Sequence, residues 1–212
     1  MKRSVREERL NVATHALGIA LSLVANALLW QSMLNRELTW PVKAGCAGFG
    51  LSLVLVYTFS TLSHWFTEES QQARFRRLDQ ACIYLLIVAS YTPFSVGFLH
   101  GVWWWIVLGV MWAVAIAGFV SKLLFAHRLQ RVSIWLYLIL GWVPAVTGAP
   151  FSTDLPSSCF DWILAGGIAY TVGTVFLFCD KRVWYFHGIW HLFVILGSLL
   201  HFLAVMRFVV VG

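Results

Sequence analysis

The chain has 212 residues, of which 60% are hydrophobic and only 11% charged, and its formal net charge is +6. No ordinary water-soluble domain has that balance, so the composition excludes a soluble enzyme or binding module and points to an integral membrane protein. The excess of positive charge then reads first as a signal of membrane topology and an attraction to anionic headgroups, not as a nucleic-acid footprint.

A basic stretch of Lys2, Arg3, Arg6 and Arg9 leads into the first apolar run, Val12 to Gln31. Ala25-Asn26-Ala27 loosely resembles a cleavage site, but the run stays apolar through Trp30. It is long enough to span a bilayer and is expected as a retained first helix. The second run, Val42 to His64, ends on Ser60 and His64, and the third, Asp79 to Phe98, follows Arg74, Arg76 and Arg77.

The fourth run, Val102 to Ser121, opens with Trp103-Trp104-Trp105, which interfacial anchoring explains without a ligand. The fifth, Val132 to Ala149, contains Pro144 and is followed by Pro150; a kink or early end there would open a lateral path for an acyl chain. The sixth is Trp162 to Cys179, and the seventh, His187 to Val211, opens on a histidine pair. Each run is roughly the 20 residues a spanning helix needs. Short polar breaks separate them, with no repeat or low-complexity tract. The expected fold is therefore all-α, one integral membrane domain over residues 1–212 with seven transmembrane helices.

Lysine and arginine near short loops stay on the cytoplasmic side. With seven spans, twelve fall on the side of the N-terminus and three, Arg36, Lys43 and Arg207, on the other. Lys122, Arg128 and Arg131 count with the fourth loop, Lys181 and Arg182 with the sixth. The expected orientation has the N-terminus inside and the C-terminus outside. Cys46, Cys82, Cys159 and Cys179 have no Cys-x-x-Cys spacing and are expected as free thiols, although Cys46 and Cys159 share the outer side.

On this topology His64, Asp79, His187 and His191, from three helices, meet in one layer near the cytoplasmic surface. Ionisable residues are costly in lipid, and their convergence suggests a metal. His187 and His191 are four apart, so they project from one helix face a turn apart, as do Ser60 and His64. Three imidazoles with an open fourth position are the donor set of a catalytic zinc site. Asp79 would accept a proton from a water at the metal, and Ser60 would orient that water or donate to an oxyanion.

Taken singly, each residue has a plainer explanation. A histidine at a helix end faces headgroups or bonds a carbonyl, four-residue spacings arise by chance, and Asp79 beside Arg76 and Arg77 is a surface ion pair at a helix start. His15 lies at the right depth to support the site but equally at one to cap or face headgroups. His201 is about 15 Å from His191 along a helix, too far to share an ion, and bonds a neighbouring helix. His100 and His127 are loop residues.

These residues resemble the hemolysin III group of bacterial membrane proteins, within the superfamily of progestin and adiponectin receptors and alkaline ceramidases. The resemblance covers nearly the whole chain. It is carried by Glu8-x-x-Asn11-x-x-Thr14-His15, Ser60-x-x-x-His64, Asp79 with Tyr91-Thr92-Pro93, Ala126-His127-Arg128, Gly141-Trp142, and His187-x-x-x-His191 with His201-Phe202. It implies a seven-helix bundle with an inside N-terminus and zinc near the cytoplasmic face. The positions matching that superfamily's ligands are His64, His187 and His191, and Asp79 matches the aspartate that holds the zinc-bound water. Members often have histidine after that aspartate; Gln80 here either alters proton delivery or is neutral. The short stretch before helix one leaves no room for the soluble domain of the eukaryotic receptors, so a small multi-pass protein of the bacterial inner membrane is expected.

Three functions follow as expectations. The first is a zinc-dependent, ceramidase-like hydrolase of a membrane lipid amide or ester on the cytoplasmic side. The second is a non-enzymatic sensor or regulator of membrane lipid composition or fluidity with a structural zinc. The third, a pore-forming haemolysin, is physically weakest, because nothing in the spans lines a continuous polar channel. The expected partners are membrane lipids, with no nucleic acid.

Overall fold

A computed structural model of the chain describes residues 4–125, 130–147 and 154–211. The Ala126-His127-Arg128 motif and Pro150 lie outside the described residues. Seven α-helices are described: α1 (Val5–Leu34), α2 (Trp40–Trp65), α3 (Glu69–Phe98), α4 (Val102–Phe125), α5 (Gln130–Val146), α6 (Ser157–Phe178) and α7 (Phe186–Ala204). The seventh continues as a π-helical turn over Val205–Val210. Six are long and apolar enough to cross a membrane, and the apolar part of α5, Ile134–Val146, is shorter than they are.

The helices that start furthest ahead of their apolar runs are α1 and α3. Val5 rather than Val12 opens α1, because the Ser4 side chain accepts a hydrogen bond from the Glu7 amide at 3.2 Å and Glu7 and Glu8 lie in the first turn, where the helix dipole favours acids. Glu69 rather than Asp79 opens α3, whose first turns are polar. Asp79 is thus an interior residue of a continuous helix and not a residue of its first turn. Hydropathy marks the stretch that lipid requires, and a helix can run on beyond it.

The fourth helix also outlasts its apolar run and carries Lys122 in its last turn. Counting Lys122 as a loop charge needs correction, since it is only 2% exposed. The fifth helix ends at Val146, short of the expected Ala149, with Pro144 buried inside it.

Packing joins α1 to α2 and α7, α2 to α3, α3 to α4, and α6 to α7, while α5 touches α3, α4 and α6 more lightly. Small residues allow the close approaches. A β-carbon at Gly50 of α2 would meet Asn26 of α1, whose amide donates to the Gly50 carbonyl at 2.9 Å. One at Gly166 of α6 would collide with the His201 ring of α7. Three helices are also tied by a polar knot: Tyr57 of α2 donates to the Ser198 hydroxyl at 2.8 Å, and Tyr170 of α6 reaches the same oxygen at 2.8 Å. All four cysteines are free thiols.

Candidate metal centre

The last turn of α2 supplies His64, and the first turns of α7 supply His187 and His191. One ligand atom from each lies within 4.8 Å of the others. His191 is 1% and His64 6% exposed, while His187 is half-buried at the edge of the cluster. Ring centroids are 4.5 Å apart for His187 and His191 and 5.2 and 5.3 Å from His64 to each of them.

Each ring is held by an oxygen on its Nδ1. His64 donates to Glu8 Oε2 at 2.6 Å, His187 to Asp180 Oδ2 at 3.2 Å, and His191 to Thr14 Oγ1 at 2.9 Å. The direction is fixed by the partners. An ionised carboxylate only accepts, and the Thr14 hydroxyl already directs its proton to the Asn11 carbonyl at 2.9 Å. With the proton on Nδ1, a neutral imidazole offers its Nε2 lone pair to a metal, the arrangement that outer partners impose on histidine ligands.

These residues fit a zinc ion. Tetrahedral zinc with nitrogen ligands needs donor atoms about 3.4 Å apart, a short closure from the separation here, and three neutral imidazoles are a favoured donor set. The partners come from elements brought in by tertiary structure: Glu8 and Thr14 from α1, Asp180 from the turn before α7. Arg6 lies over the Trp184 ring at 4.5 Å, pinning the start of α1 to that turn.

Asp79 and Ser60 meet across α3 and α2, with the Ser60 hydroxyl in hydrogen-bonding reach of the carboxylate. Both line, with the three histidines, a cavity of about 1770 Å³ that extends along the bundle to Phe160, Ile163, Tyr170 and His201.

The other histidines separate as their surroundings require. His15 is buried edge-on against His191, 3.7 Å between centroids, and its ring nitrogens have no hydrogen-bond partner among the described residues, nor do the side-chain atoms of Asn11 one turn before it. His201 donates from Nε2 to the Ile163 carbonyl of α6 at 3.0 Å, bonding a neighbouring helix as expected. His100 is exposed in the α3–α4 turn.

Sequence reasoning assigned no role to Glu8, Thr14 or Asp180. Glu8 and Thr14 stood in a recognised motif, but nothing in linear spacing says that Glu8 reaches His64 of α2 or that Thr14 reaches His191 of α7. Exposed apolar residues such as Leu21, Val24, Ile116 and Leu192 form the lateral surface, as a lipid-facing bundle requires.

A many-helix membrane protein with a buried triple-histidine cluster, opening on an internal cavity, is the class these features define. The chain matches the Haemolysin-III related family over residues 3–202 and belongs to it. It is 37% identical to "Hemolysin-3" of Bacillus cereus over 99% of this chain and 94% of that protein, and 34% identical to "Hemolysin-3 homolog" of Bacillus subtilis (strain 168) over 98% and 96%. A human protein, "Monocyte to macrophage differentiation factor", is 27% identical over 98% of this chain and 86% of its own length. The multi-pass architecture and the bacterial relatives support a bacterial membrane location.

Proposed function

We propose that this protein is a zinc-dependent hydrolase of a membrane lipid amide or ester, with His64, His187 and His191 holding the metal at the cytoplasmic side of the inner membrane. The observation that carries the reading is the joining of the histidine cluster, each ring locked by an oxygen on Nδ1, to a cavity large enough for an acyl chain. Zinc bound there would polarise the scissile carbonyl and acidify an attacking water.

The chain's own residues supply the rest. Asp79 takes the proton of the attacking water and returns it to the departing nitrogen or oxygen, and Ser60 holds the carboxylate in place for both transfers. Phe160 and Ile163 in the cavity wall exclude water and receive the chain. The short α5, ending after Pro144, supports a lateral entry between helices for a lipid substrate.

Metal analysis of purified wild type and His187→Ala, with lipid turnover by Asp79→Asn, tests the proposal. The expected result is stoichiometric zinc lost in His187→Ala, and zinc retained with turnover abolished in Asp79→Asn. Zinc without turnover of ceramides, phospholipids or lysolipids by the wild type would overturn the hydrolase and leave a sensor of lipid state with a structural metal.

A further inference from the structure

Lys122 is a lysine in the wrong place for its ordinary work. A cation in the last turn of a membrane helix complements the helix dipole and snorkels to the surface. This one is turned inward and 2% exposed, and its Nζ donates to Gln80 Oε1 of α3 at 3.1 Å. It forms part of the wall of the same cavity as Asp79 and the histidines.

An ammonium taken out of water needs a counter-charge, and a neutral amide is not one. Of the carboxylates that line the cavity, Glu8 bonds His64 and Asp180 bonds His187, and among the described residues the hydrogen-bond partner of the Lys122 ammonium is the Gln80 amide. The backbone carbonyl of Gln80 accepts from the Tyr137 hydroxyl of α5 at 2.7 Å, which ties α5 to α3 at that residue. The Gln80 side-chain amide holds the lysine against α3 without neutralising it.

We propose that Lys122, oriented by Gln80, is an anion-reading subsite of the cavity, and that the natural occupant is an amphiphile with a carboxylate or phosphate head. Recognition is by charge and hydrogen bonding at Nζ, while the apolar wall takes the chain. This deepens the function proposed above by naming the ligand's charge, but it requires no turnover and no metal. It also gives Gln80 a role that histidine would fill differently, because the amide oxygen accepts from an ammonium in any protonation state.

Binding in nanodiscs of neutral phosphatidylcholine tests it, with oleate against oleyl alcohol for a carboxylate and lysophosphatidic acid against lysophosphatidylcholine for a phosphate. The wild type is expected to prefer the anionic member of at least one pair by about tenfold or more, equivalent to 1.4 kcal/mol. Lys122→Met removes the preference while leaving the neutral partner's affinity unchanged, and Lys122→Arg restores it. Gln80→Glu supplies an internal counter-ion and lowers the preference in a chain that keeps its lysine, which serves where Lys122→Met does not fold.

His187→Ala, stripped of metal, keeps the preference, which separates this site from any carboxylate binding by zinc. Equal affinities for both members of both pairs in the wild type would overturn the proposal. So would a preference undiminished by Gln80→Glu, or one that vanishes in His187→Ala. Failure of hydrolysis alone leaves these binding results standing.

Discussion

At the residue scale the histidine cluster depends on oxygens that belong to no recognised ligand set. Outer partners of metal-bound histidines typically change affinity 10- to 100-fold when removed. Glu8→Gln, which leaves His64 in place but replaces an ionised acceptor at 2.6 Å by a neutral amide, is therefore expected to weaken zinc binding by about that range in a chelator competition titration. Thr14→Val should act in the same direction on His191, whose Nδ1 proton would lose its acceptor at 2.9 Å. Unchanged affinity in both would mean that the rings are held by packing alone. The cluster of His64, His187 and His191 was legible in the sequence because ionisable groups in apolar runs are conspicuous. Glu8, Thr14 and Asp180 were not, because a polar residue at a helix start has ordinary reasons to be there.

At the element scale the contact between α6 and α7 carries the second helix of the site. A β-carbon at Gly166 would collide with the His201 ring and lie 3.2 Å from the Gly197 carbonyl, and that backbone cannot yield without separating the helices. Gly166→Ala is expected to destabilise by about 1–3 kcal/mol, seen as a lowered thermal midpoint in detergent. Gly48→Ala on α2 is the contrasting case, with nothing within 4 Å of the added carbon, and should be neutral or slightly stabilising. Equal losses at the two positions would show that the added methyl acts through something other than helix contact. The existence and order of these helices followed from hydropathy, while their starts did not. Capping by Ser4 and the polar opening of α3 extend helices into regions where lipid imposes no pattern.

For the whole molecule, the alternation of basic residues predicts which side each loop occupies. In a background with the native cysteines replaced by serine, Arg36→Cys is expected to react with a membrane-impermeant maleimide on intact cells. Gln71→Cys should react only after permeabilisation. The reverse pattern would invert the orientation and move the histidine cluster to the outer face. Lys122 shows how a charge count can mislead at a single position: it is a helix-end cation by sequence and an interior one by packing. The alternation survives its removal, because the remaining basic residues on the N-terminal side still outnumber those opposite.

By itself the sequence determined that this is a helical membrane protein, how its apolar runs are ordered, and which histidines belong together, because a bilayer penalises every unsatisfied polar group and so writes its requirements into composition and spacing. Only the tertiary structure decided that α1 lies against both α2 and α7, so that Glu8 reaches His64 and Thr14 reaches His191, and that Lys122 faces inward onto Gln80. Those facts depend on which helix faces meet. Helix faces are selected by side-chain volumes such as those at Gly50 and Gly166, and by single hydrogen bonds between helices, neither of which leaves a periodic mark in a chain that is apolar nearly all round.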